Sequence, residues 1–182
     1  METYVALLYS IILDTHRRVV MADLRAMAKR LGFASPRTVV ATGNLIFEAA
    51  HTPIGELEER LEAGFRGKFG RHVDMLLRNA HGWRRLAAGN PFVEEAQADG
   101  SRVIVRVMRE PLAADAVERF APYLGNGERV AVVDGDLWLH FTGQPSLSKL
   151  VPALTAKRLG IGTMRNWNTV ARIAAMLDAA PA

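Results

Sequence analysis

The stretch Arg37-Thr38-Val39-Val40-Ala41-Thr42-Gly43-Asn44-Leu45-Ile46-Phe47-Glu48 holds two short runs rich in β-branched residues, Arg37 to Ala41 and Leu45 to Glu48. Between them Thr42-Gly43-Asn44 carries a glycine that can supply positive φ, so the stretch reads as a β-hairpin. Its flanks decide the fold. Upstream, Met21, Leu24, Met27, Ala28 and Leu31 recur at helical spacing, Gly32 stops the helix, and Thr3 to Leu8 reads as a buried strand. Downstream, Pro53 opens a second helix with Leu57, Leu61 and Phe65 at i, i+4 and i+8. Gly70 closes it, and His72 to Leu77 reads as a fourth strand. The order β-α-β-β-α-β in under 80 residues predicts a ferredoxin-like unit over residues 1–78, an antiparallel sheet backed by helices.

The remainder repeats this theme in pattern, without residue-level similarity. Residues 79–100 read as a connection: a short helix over Trp83 to Ala88, the turn Asn90-Pro91-Phe92, then a polar loop through Ser101. Residues 101–182 read as a second unit. Arg102 to Met108 alternates, with Val103, Val105 and Val107 on one face and Arg102, Ile104 and Arg106 on the other. Pro111 starts a helix through Phe120. Val130 to Val133 and Leu137 to Phe141 flank the turn Asp134-Gly135-Asp136. Leu147 to Leu159 and Asn166 to Leu177 read as helices, and Asp178 to Ala182 as a frayed tail. No last strand is visible in this half. The fold class is α+β, two ferredoxin-like units.

The chain has 182 residues and no cysteine, which excludes disulfides, thiolate metal sites and cysteine nucleophiles. Its longest apolar run, Val5 to Leu13, falls far short of the roughly 20 residues that span a bilayer. No positively charged segment precedes that run, so a soluble, cytoplasmic protein with no membrane partner is expected. Net charge is +4, and 19 of the 23 basic residues are Arg. From Gly143 to Leu177 stand five cations (Lys149, Lys157, Arg158, Arg165, Arg172) and no Asp or Glu. Such a tract attracts anions by Coulomb forces, or is a solvated face.

Tyr4-Val5-Ala6-Leu7-Leu8, Met21-Ala22-Asp23-Leu24-Arg25, Leu31-Gly32-Phe33, Gly43-Asn44 before Leu45-Ile46-Phe47, Asn90-Pro91-Phe92 and Ser148-Lys149-Leu150 together resemble the DUF1697 family of bacterial proteins. The most specific match is Thr163-Met164-Arg165-Asn166-Trp167-Asn168-Thr169-Val170. The resemblance covers nearly the whole length and implies two ferredoxin-like units; it implies no activity. One loop departs from the family. Where the family runs Arg-Gly-Ile-Asn-Val-Gly-Gly after the first strand, this chain has Tyr9-Ser10-Ile11-Ile12-Leu13-Asp14-Thr15. The glycines, the Arg and the Asn of that loop are absent. Ala41-Thr42-Gly43-Asn44 likewise replaces the family's Gln-Ser-Gly-Asn.

Two segments could carry chemistry. Gly143-Gln144-Pro145-Ser146-Leu147-Ser148-Lys149-Leu150 lies between a predicted strand and a predicted helix, a context that suits phosphate capture. Ser148 and Leu150 stand where a P-loop has its second glycine and its Mg²⁺-binding hydroxyl, so this is no NTPase site. Ser146, Ser148 and Lys149 can hold an oxyanion, or Ser148 simply caps a helix. In the second segment, a helix beginning near Thr163 puts Arg165, Thr169 and Arg172 on one face. Arg165 with the Asn166 and Asn168 amides then faces a partner, or the amides cap the helix.

The five histidines (His16, His51, His72, His81, His140) show no i, i+3 or i+4 pair, so neither a metal nor another cofactor is expected. Asp14 and His16 can form an acid–base pair or a solvated turn. Tyr4, Phe47, Trp138 and Phe141 lie on strands but without the signature of base-stacking RNA-binding sheets, so nucleic acid has no motif behind it. Aromatics so placed are core residues in most proteins. Three functions fit: a binding protein for a phosphate-bearing small molecule on a basic C-terminal surface, an enzyme acting on such a molecule at a cleft between the units, or a structural module.

Overall fold

The computed structural model describes residues 1–9 and 18–179. The departed loop from Ser10 onward, with Asp14 and His16, lies outside the described residues, as do Ala180 to Ala182. Two compact units divide the chain: Met1–Arg84 with the end of the chain from Ala175, and Arg85–Ala174.

The first unit runs β1 (Glu2–Leu8), α1 (Met21–Arg30), β2 (Ala34–Thr38), β3 (Asn44–Ala49), α2 (Ile54–Phe69) and β4 (Met75–Asn79), and α3 (Ala80–Ala88) follows. Its sheet has the order β2-β3-β1-β4 with every neighbour antiparallel, Val5 opposite Ile46 and Ala6 opposite Leu77. The even-numbered residues of β1 (Tyr4, Ala6, Leu8) pack with Leu24, Met27 and Ala28 of α1 and with Leu57, Leu61 and Phe65 of α2. The helical stripes of the sequence are therefore the faces that meet the sheet. Gly70 ends α2 in the left-handed region at φ 76, its N–H donating to Arg66 O.

The first hairpin differs from expectation. β2 begins three residues earlier, at Ala34, and Val39 to Gly43 form the connection. Buried Asn44 holds it, donating from Nδ2 to Val39 O (2.9 Å) and to Thr42 Oγ1 (2.8 Å). Val40 sits at φ 48, a conformation that β-branched residues rarely adopt. Asp178, expected in a frayed tail, is the last residue of a helix, and its carboxylate accepts from Arg84 Nε at 2.7 Å.

The second unit contains α4 (Val93–Asp99), β5 (Val103–Met108), a 3₁₀ segment (Ala114–Tyr123), β6 (Arg129–Val133), β7 (Asp136–His140), α5 (Ala156–Leu159), β8 (Gly162–Asn166) and most of α6 (Trp167–Asp178). Its sheet is again antiparallel, ordered β6-β7-β5-β8. The fold is thus α+β with two four-stranded antiparallel sheets backed by helices, as the sequence predicts.

Four local expectations fail here. The strand that could not be found is β8, pairing Val105 with Arg165 and Val107 with Thr163. The polar segment before Ser101 holds α4, a helix with a single buried residue, Ala96, so it shows no apolar stripe. The helix from Pro111 to Phe120 is instead the 3₁₀ segment, displaced three residues at each end. The long helix over Leu147 to Leu159 does not form. Two three-residue 3₁₀ turns, Pro145–Leu147 and Val151–Ala153, precede the four-residue α5. Pro152 lacks an N–H and would clash with the carbonyl four residues back, which breaks any continuous helix. Leu150, Ala153, Leu154 and Leu159 enter the core from these short pieces.

The second hairpin turns on Asp134-Gly135, at φ 50 and 84, a two-residue reversal of the primed type. Asp136 belongs to β7, where its buried Oδ1 accepts Met108 N–H at 2.7 Å. A Cβ on Gly135 would fall 2.8 Å from Pro111 Cα, on top of the unfavourable φ. Gly135→Ala should therefore destabilise the protein by about 2–4 kcal/mol, read as a lower midpoint in denaturant or heat.

At the start of β1, the Glu2 carboxylate accepts from Tyr4 OH (2.7 Å), His51 Nδ1 (2.9 Å) and Asn79 Nδ2 (2.8 Å). The Tyr4 hydroxyl first, then His51, holds the Glu2 carboxyl below its ordinary value. A carboxyl depressed in the folded state stabilises above its unfolded value of about 4.3, and that stability fades as pH falls through the folded one. Glu2→Gln should lower the melting temperature at pH 7 and shrink the further drop between pH 5 and 3.

Candidate functional site

A cleft of about 350 Å³ opens in the second unit between the end of the 3₁₀ segment and the 145–149 turn, lined by Pro122, Tyr123, Leu124, Gly125, Glu128, Leu147, Ser148 and Lys149. Lys149 is exposed, and Leu147 is 80% exposed on the same wall. Nearby Ser146 is also exposed. The Ser148 hydroxyl accepts Leu150 N–H at 3.0 Å, so it braces the turn that presents Lys149. The Arg158 guanidinium lies 4.9 Å from the centre of the ring of Tyr123, which lines the cleft. Among the described residues Glu128 is the one carboxylate lining the cleft, and its Oε2 accepts Gly125 N–H at 2.7 Å.

The second segment is placed differently from its helical reading. Arg165 is not on an exposed helix face with Thr169 and Arg172; it lies in β8 and is 8% exposed. Its Nη1 donates to Thr163 Oγ1 (2.9 Å) and Met164 O (2.8 Å). Burial lowers its guanidinium to about 10, so it is a buried charge at neutral pH. α6 begins only at Trp167. Asn166 stands just before it and accepts at Oδ1 from Thr169 N–H (3.1 Å) and Thr169 Oγ1–H (2.9 Å), which is helix capping. Asn168 and Arg172 are exposed on α6. A Cβ on Gly100 would collide with Asn168 Oδ1, and Gly100 O accepts Trp167 N–H, so this glycine lets the helix start sit against the loop before β5. Of the candidate residues, Ser148 and Lys149 line the cleft.

The strand aromatics Tyr4, Phe47, Trp138 and Phe141 are all buried, so none offers a face to a nucleic-acid base. Arg106, on the strand face that the alternation assigns to it with Arg102 and Ile104, is buried and donates from Nη2 to Gly160 O at 3.2 Å. Arg102 is exposed and donates to Thr142 O. Two residues lining the cleft escape sequence reading: Tyr123 and Glu128. They come from separate segments, and no spacing in the chain links them to Lys149.

A model of the family described as "Protein of unknown function (DUF1697)" matches residues 1–138. The chain belongs to this family. The match includes the whole first sheet and reaches into β7; the Thr163–Val170 stretch follows it. A solved structure of a conserved bacterial protein from Streptococcus pneumoniae is similar, with 23% identity over 98% of this chain and 99% of that one and a TM-score of 0.75. The likeness is one of fold. No curated protein matches the chain. Among the described residues, no helix is long and apolar enough to cross a membrane.

The two cations at the heart of the sequence reading should behave oppositely when truncated. Lys149→Ala removes an exposed charge and should shift stability by no more than about 0.5 kcal/mol. Arg165→Ala leaves a void and unpaired polar groups inside the sheet layer and should destabilise by about 2 kcal/mol or more. Chemical denaturation of both variants checks this.

Proposed function

We propose that this protein binds a phosphate-bearing small molecule in the cleft at Ser148 and Lys149. The observation that carries the reading is an exposed ammonium held at the mouth of a concave, partly apolar site by a braced turn. Lys149 receives the phosphate as a point charge, and the Ser146 hydroxyl adds a donor beside it. Leu147 and the Tyr123 ring offer apolar contact to the rest of the ligand, and Arg158, over that ring, adds positive potential. Glu128 disfavours a second anionic group on its own wall and favours a hydroxyl or amine there. The ligand this suits carries phosphate at one end and hydrogen-bond donors at the other, as nucleotides and sugar phosphates do. Asn168 and Arg172, exposed on α6, are left as an outlying polar surface in this proposal.

Binding fits the cleft better than acyl chemistry does. Among the described residues no histidine lines it, and the Ser148 hydroxyl already accepts a backbone N–H. The alternative with a specific observation behind it is the structural module. Ser148 bracing its turn and Asn166 capping α6 both satisfy backbone groups of the fold itself.

Thermal-shift and calorimetric titration of the full chain against nucleoside phosphates and sugar phosphates separates the two. Under the binding proposal at least one compound raises the melting temperature, and its affinity falls as salt rises from about 0.05 to about 0.3 M. Lys149→Ala should weaken it about tenfold or more, and Glu128→Gln should strengthen it. If no compound stabilises the wild type, the structural reading stands.

A further inference from the structure

At the C-terminal end of α2 the first unit gathers three side chains that no sequence spacing connects. Glu62 lies on α2, whereas His72 and Asp74 lie on the short segment between Gly70 and β4. One ligand-type atom from each falls within 4.8 Å of the other two. His72 Nε2 is 3.3 Å from Asp74 Oδ1 and 4.0 Å from Glu62 Oε2. Two donors about 2.1 Å from a common ion lie about 3.4 Å apart at the tetrahedral angle and at most about 4.2 Å apart. Both separations lie close to that range, and the Glu62 and Asp74 oxygens lie within 4.8 Å of each other, so an ion that touches all three requires the two carboxylates to draw together by a side-chain adjustment.

The acids are held in place rather than free to sweep through solvent. Glu62 is only partly exposed, and its Oε1 accepts Met75 N–H at 3.0 Å. The Asp74 backbone is tied to β1 through Tyr9 N–H donating to Asp74 O at 2.9 Å. We propose that Glu62 Oε2, His72 Nε2 and Asp74 Oδ1 form a binding site for a divalent first-row transition metal ion such as Zn²⁺. One imidazole with two carboxylates suits that class, and with three protein donors a fourth position stays open to water. The site belongs to the first unit and is independent of the cleft at Lys149.

Arg66 opposes the ion, and this makes the proposal testable in direction. Arg66 Nη2 stands 3.2 Å from His72 Nδ1. Arginine has only donors, so Nδ1 accepts and the ring proton sits on Nε2, pointing at the carboxylates. An ion at Nε2 requires that proton to move to Nδ1, where it would meet the Arg66 N–H. Arg66 is exposed and must swing away for the ion to bind. The guanidinium therefore competes with the metal both through the tautomer and through its charge.

The test is titration of the metal-stripped full chain with Zn²⁺, followed by calorimetry, and with Co²⁺, followed by its visible absorption. The expected result is one equivalent bound. Affinity should fall at least about tenfold in His72→Ala and in Glu62→Gln, the latter keeping the acceptor for Met75 N–H. It should rise severalfold in Arg66→Met, which keeps the aliphatic stem and removes the competitor. His51→Ala should leave it unchanged. Absence of stoichiometric binding, equal affinity in His72→Ala, or weaker binding in Arg66→Met would each overturn the proposal.

Discussion

β1 and β5 are buried on both faces, and a strand so placed can satisfy its N–H and C=O groups only through a neighbour on each side. That demand organises both units. It makes β3 and β4 necessary to β1, and β7 and β8 necessary to β5, and it yields the same strand order twice. The helices follow, because their apolar stripes have one place to go. It also accounts for β8, whose side chains give no strand signal: Gly162 to Asn166 pairs with β5 because the backbone of β5 requires a partner, whatever the side chains are.

The burial of Arg165 follows from the same demand. Opposite Val105 in a sheet of this kind, residue 165 goes where the register sends it, and its charge is accommodated by bonds to Thr163 and Met164. The acid-free tract from Gly143 to Leu177 is thus a uniform property of the chain and not of the surface. Lys149 reaches solvent at the rim of a cleft, Arg158 lies over Tyr123, and Arg165 is enclosed. Coulomb arguments from composition treat these cations alike; dielectric surroundings separate them.

The legibility of the first unit has a physical basis. Its helices carry three or more apolar residues on one stripe, and glycines stand at the ends of both, so local propensity and tertiary packing agree. In the second unit they diverge. α4 buries only Ala96, and Pro152 interrupts a stretch whose composition otherwise favours helix. The 3₁₀ turns that result shape the wall bearing Ser148 and Lys149, so the candidate site is built from the part of the chain where local rules were least informative.

By itself the sequence determined the fold class, the β-α-β-β-α-β order of the first unit, the hairpin at Asp134-Gly135 and the family resemblance. These rest on periodicity and turn chemistry among residues near one another in the chain. It also picked out Ser148 and Lys149 as candidate anion-binding residues, at what it read as the start of a helix. Tertiary structure alone decided that Arg165 is enclosed, that Tyr123 and Glu128 line one cleft with Lys149, and that Glu62 meets His72 and Asp74. Each of those depends on strand register or on the meeting of separate elements, and the energy that sets them is the pairing and burial of whole strands and helices. No short window of sequence contains that energy, because the groups that supply it are brought together only when the sheets close.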